Sequence, residues 1–167
     1  LVGIAAFDRD FMNTLWNPAM EALSGQKADK VVGKNAYDLL PGFLDTPEGR
    51  AAGRALQGES TVVRDIAYAM QQTGEMGSVE VYMVPMRDTA GEIVGGIAVV
   101  HDITELKRAE QTLKESEERY RKLFDSSPQG IVISKVATRE FKYVNPAFCR
   151  LFGYGPDMVA GTLILLV

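Results

Sequence analysis

One short pattern occurs twice in this chain. Asn17-Pro18-Ala19 is followed by Leu23, Gly25, Asp29, Val31 and Gly33. Asn145-Pro146-Ala147 is followed, at the same spacing and without a gap, by Leu151, Gly153, Asp157, Val159 and Gly161. The copies lie too far apart for a solenoid, whose period is roughly 20–50 residues, so the repeated unit is a domain. The second copy starts near Gly130 and the sequence ends at Val167. The pattern therefore predicts one complete module and the opening part of another.

The residues around the first copy predict its elements. Gly3 to Phe7 reads as a short strand, Asp8-Arg9-Asp10 as a turn and Phe11 to Trp16 as a second strand. Asn17 caps a helix with Pro18 at its first position, where a missing N–H costs nothing, and Gly25 stops it. Short helices follow near Asp29 to Val32 and Ala36 to Leu40. Thr46-Pro47-Glu48 opens a longer one, weakened by Gly49 and Gly53. Ser60 to Gln71, Ser78 to Arg87 and Ile93 to Asp102 are strands joined by turns, an antiparallel meander. Two strands, several helices and three strands in that order predict an α+β domain, a five-stranded antiparallel sheet with helices on one face.

Ile103 to Ser126 is different. Six basic and six acidic residues interleave there without Gly or Pro. Acid-to-base pairs at i,i+4, such as Glu110 with Lys114 and Glu118 with Lys122, each support a helix by roughly 0.2–0.5 kcal/mol. Leu106, Ala109, Leu113, Ser116, Tyr120 and Leu123 step by three and four, a narrow seam suited either to a parallel dimer or to a single helix leaning on a domain. The resulting division is 1–104, a connecting helix over 105–127, and 128–167.

Composition narrows the function. A net charge of −4 with no basic stripe argues against nucleic acid as a direct partner. The longest apolar runs, Ile93–Val100 and Leu163–Val167, have the length of strands, so no direct membrane contact is expected. A chain that opens on Leu1 is expected to belong to a longer protein, so a missing signal peptide is uninformative. Cys149 is the one cysteine, which excludes an internal disulfide and fits a reducing cytoplasm.

Trp16-Asn17-Pro18-Ala19, the spacing from Gly25 to Gly33, the turn Met86-Arg87-Asp88 with Gly91, and Asp102-Ile103-Thr104 before a charged helix together resemble the PAS sensor family. The resemblance covers 1–104 as a full PAS core and 130–167 as the first third of another. It implies that Asp102, Ile103 and Thr104 couple the sheet to the outgoing helix. Their residue types also suit a plain strand-to-helix cap.

The resemblance also places a ligand cavity between the helices and the inner sheet face. Alternation puts Val79, Val81, Met83, Ala98 and Val100 on that face, with Leu39, Leu40 and Phe43 closing it. On the third strand Ala67 and Ala69 are read as facing in and Ile66 and Tyr68 as facing out, an assignment that a one-residue slip reverses. Arg54, or Arg50, is the candidate contact for an acidic ligand. A filled core without a ligand is the alternative.

Specific chemistries are mostly absent. The flavin-binding branch of the family uses a cysteine in a Gly-x-Asn-Cys stretch, and here Gly33-Lys34-Asn35-Ala36 ends in alanine, so no flavin photo-adduct is expected. His101, the single histidine, alternates away from the Ala98 and Val100 face, which disfavours haem. Asp8 and Asp10 read as a solvated turn, and no triad or phosphate loop assembles a catalytic site. The expectation is a non-catalytic sensory relay in a multi-domain signalling protein, a histidine kinase in the first instance, dimeric through the seam at Leu106, Leu113, Tyr120 and Leu123. A ligand-free spacer and an input module of a cyclic-dinucleotide enzyme are the rivals.

Overall fold

The computed structural model describes residues 2–69, 74, 76–138 and 140–153. They divide into two compact units, with the boundary between Arg108 and Ala109. The first opens with β1 (Val2–Asp8) and β2 (Asn13–Trp16). Helices α1 (Pro18–Ser24), α2 (Ala28–Val31) and α3 (Ala36–Leu39), a 3-10 turn (Phe43–Asp45) and α4 (Pro47–Leu56) follow. The meander is β3 (Thr61–Ala69), β4 (Met76–Arg87) and β5 (Ile93–Asp102), and α5 (Thr104–Ser126) leaves it. The sheet order is β2-β1-β5-β4-β3, with every neighbouring pair antiparallel. No described helix is long and apolar enough to cross a membrane.

The asparagine of the repeat does more than cap. Asn17 Oδ1 accepts the Met20 N–H at 2.8 Å and also the Ile4 N–H at 3.0 Å, while Nδ2 donates to the Val2 carbonyl at 3.2 Å. One side chain thus satisfies an orphan donor of α1 and ties that helix to β1. Gly25 then ends α1 at φ 72°, a left-handed position suited to glycine.

In the second unit, β6 (Val132–Ser134) and β7 (Phe141–Val144) form a hairpin ahead of α6 (Pro146–Phe152). Asn145 repeats the clasp: Oδ1 accepts from Phe148 and Ile131, and Nδ2 donates to the Gln129 and Phe124 carbonyls. Leu23 is buried in the first core, whereas its counterpart Leu151 is exposed. Asp157, Val159 and Gly161 of the second copy lie outside the described residues.

Two sequence expectations change. Phe11 and Met12 precede β2, and Phe11 takes φ +60° instead of an extended conformation. Asp8 imposes this: its carboxylate accepts the Asp10 and Met12 N–H groups, and its carbonyl accepts that of Phe11. In β3 one extra residue intrudes, because Val63 pairs with Val81 and Ile66 with Val79. The bulge centres on Arg64 and Asp65, the latter at φ +60°, and it reverses the face of every later residue.

The glycines of α4 have opposite roles. A Cβ on Gly49 would lie 2.0 Å from the Phe43 carbonyl oxygen, so only glycine lets α4 approach the 3-10 turn. A Cβ on Gly53 meets nothing within 4 Å. Gly49→Ala is predicted to lower stability by about 1–3 kcal/mol. Gly53→Ala should raise it by about 0.5–1 kcal/mol, both read from urea midpoints. Equal effects would refute the close approach.

Candidate functional site: a core cavity and its link to the outgoing helix

A cavity of about 370 Å³ lies between the inner sheet face and the short helices. Its floor is Ala5 and Phe7 of β1, Val79, Val81 and Met83 of β4, and Ala98 and Val100 of β5. Leu39, Leu40 and Phe43 line it from the helical side. Ala51, Ala52 and Ala55 are fully buried, so α4 lies close over the sheet beside the cavity. Phe11 lines the cavity too. Its ring stacks on Phe7 at 5.7 Å and meets Phe43 edge-on at 6.4 Å, a placement that depends on its left-handed backbone.

Three site residues read from the sequence are not in the lining. Ala67 and Ala69 face out and Ile66 and Tyr68 line the cavity, because the β3 bulge shifts the alternation by one. Arg54 is exposed, since the buried stripe of Ala51, Ala52 and Ala55 sets the opposite side of α4 toward solvent. Arg50 is exposed as well, its guanidinium donating to the Asp45 carbonyl. The sequence reading missed Asn13, Trp16, Met20 and Glu48 along with Tyr68. Ala36 also borders the cavity. His101 is on the other sheet face, its ring 5.4 Å from that of Tyr82.

Tyr68 belongs to two sites at once. Its ring lines the cavity and its hydroxyl donates to Asp102 Oδ2 at 3.0 Å. Asp102 Oδ1 accepts the Thr104 N–H at 3.0 Å, which caps α5. Thr104 is buried, and its Oγ1 accepts the Ser78 N–H at 3.0 Å, while the Ser78 carbonyl accepts the Ile103 N–H at 2.9 Å. Asp65, the bulge residue, pairs with Lys107 in the first turns of α5. Gly77 makes room for this junction, since a Cβ there would lie 2.5 Å from the Tyr68 ring and 2.9 Å from Thr104 Oγ1.

Further along α5, Leu106, Leu113, Tyr120 and Leu123 are each more than half exposed. The helix therefore carries an apolar seam without a partner among the described residues.

The family model described as PAS fold matches residues 2–108, and that described as PAS domain matches residues 118–166. The chain belongs to the PAS family, whose domains are generally non-catalytic sensory modules. The PAS domain of histidine kinase ThkA superposes with a TM-score of 0.50 at 22% identity, covering 61% of this chain and 100% of that one. An RNA-binding Light-Oxygen-Voltage receptor is 27% identical, with a TM-score of 0.50 over 72% of this chain and 34% of its own. VqmA bound to DPO gives 0.52 at 20% identity, over 95% of this chain and 69% of that one. Among curated proteins none matches.

The junction carries a pH signature. Burial pushes the Asp102 carboxyl up, but the hydrogen bonds from Thr104 and Tyr68 together outweigh it and hold it below the usual aspartate range. Burial, reinforced by the Asp102 carboxylate, pushes the Tyr68 phenol up, so Tyr68 is a neutral donor at pH 7. A depressed carboxyl contributes stability that is full above the unfolded-state value and is lost as pH falls through the folded one. Asp102→Asn should therefore cost about 1 kcal/mol at neutral pH, a gap that closes below the ordinary aspartate range. Urea midpoints across pH check this, and a pH-independent gap would contradict it.

Proposed function

We propose that the first unit is a small-molecule sensor and that its ligand occupies the core cavity. The change on binding passes through Tyr68 and the junction at Asp102, Ile103 and Thr104 into α5. One observation carries this reading: the cavity wall and the cap of the outgoing helix share a residue, Tyr68. A ligand that moves the Tyr68 ring alters the hydrogen bond on the carboxylate that starts α5.

The receiver in this reading is a larger signalling protein on the cytoplasmic side, a sensor histidine kinase in the first instance. ThkA, a histidine kinase with a PAS domain, and VqmA, which binds DPO, lend support to that class of role. The chain works as a homodimer through the α5 seam at Leu106, Leu113, Tyr120 and Leu123, whose exposed apolar stripe favours a second copy. It uses neither a cysteinyl–flavin adduct, since Ala36 supplies only a methyl group at the cavity, nor haem, since His101 packs on Tyr82 across the sheet. Nucleic acid is not its direct partner.

Native mass spectrometry of the chain reads both parts of the proposal. The expected species is a dimer carrying a resident small molecule on each protomer. Leu113→Asp should give monomers that keep the molecule, and Met83→Trp, which fills the cavity, dimers without it. A monomeric wild type would refute the seam. A wild type with no bound mass, in protein recovered from cells, would favour a ligand-free spacer.

A further inference from the structure

We infer that the cavity selects a small, flat, largely apolar ligand bearing a hydrogen-bond donor, neutral or cationic, and rejects anions. This rests on the sensor reading and specifies its ligand.

The argument is one of charge and of uncommitted hydrogen-bonding groups. Among the described residues, no Lys, Arg or His lines the cavity, and the one lining carboxylate is that of Glu48. Most polar lining side chains already donate within the protein. Trp16 Nε1 bonds the Gln26 carbonyl at 3.1 Å, and Ser24 Oγ the Met20 carbonyl at 2.6 Å. Asn13 Nδ2 bonds the Lys34 carbonyl at 3.1 Å, and the Tyr68 hydroxyl goes to Asp102. What remains at the body of the cavity is two acceptors, Asn13 Oδ1 and the Glu48 carboxylate, against one donor, the second N–H of Asn13 Nδ2. The Gln26 amide belongs to an exposed residue.

An anion entering such a site would give up its hydration beside a like charge, with no cation to replace it. A ligand with an N–H, O–H or ammonium group meets acceptors instead. The volume, about 370 Å³, is near the lower end of the roughly 300–1,000 Å³ of small-molecule pockets, which suits one or two fused rings. Phe7, Phe11, Phe43 and Trp16 offer ring faces and edges to a flat body. Thus the acidic ligand suggested by the arginines of α4 is replaced by its opposite.

Three probes sharing one ring system test this by calorimetric titration of the whole chain: indole, tryptamine and indole-3-acetate. Indole and tryptamine should bind. Attraction on one side and repulsion on the other, each worth a few-fold at a partly exposed carboxylate, should leave indole-3-acetate about tenfold weaker than tryptamine. Glu48→Gln should bring the two ions together, and Glu48→Lys should reverse their order. Neither change touches the buried core, so folding is retained and is verified by circular dichroism. Equal binding of the two ions by wild type, with no reversal in Glu48→Lys, would overturn the selectivity while leaving a ligand-binding cavity intact. If no probe binds and native mass spectrometry still shows a resident mass lost in Met83→Trp, the ligand class is wrong and the sensor stands. If neither is seen, both fall.

Discussion

The hydrogen bond from Tyr68 to Asp102 organises the end of the first domain from which α5 leaves. It exists because β3 carries one residue too many. The bulge at Arg64 and Asp65 turns Ile66 and Tyr68 inward, and with that shift the Tyr68 hydroxyl meets the last carboxylate of β5. The same bulge leaves Asp65 outside the ladder, where it pairs with Lys107 of α5. A single backbone irregularity thus ties an edge strand to the start of the helix twice, once through the cavity wall and once at the surface. Bulges of this kind re-aim side chains, and this one aims an aromatic at a junction.

The second constraint is the asparagine clasp. Asn17 and Asn145 each cap a helix and hold the strand or turn that precedes it, with the same two side-chain atoms. Capping alone accepts many residue types, but the added donation to backbone carbonyls calls for an amide. That requirement explains why Asn-Pro recurs in the two copies. The repeat marks a scaffold corner on which β1 and the cavity floor depend.

Much of this was legible in the sequence, where the signal was local. Caps, stops and turns gave the order of elements, and alternation placed Val79, Val81, Met83, Ala98 and Val100 on the cavity face of regular strands. Alternation failed on β3, because a bulge has no reliable residue signature when the extra position is Asp and not Gly. Arg54 was misplaced because a charge near a predicted cavity says nothing about which side of a helix is buried; the alanines of α4 did. The partners of the junction were hidden for another reason. Tyr68, Ser78 and Thr104 are far apart along the chain, and only the pairing of β4 with β3 and β5 brings them together.

The central claim is that Tyr68 couples the cavity to the start of α5, and it is tested most directly at the Thr104 amide. Its hydrogen-exchange protection is to be measured by NMR in the wild type and in Met83→Trp, then in the same pair carrying Tyr68→Phe. The account predicts that filling the cavity shifts Thr104 protection several-fold when Tyr68 is present and leaves it unchanged when Phe stands there. An equal response with and without the hydroxyl would contradict it.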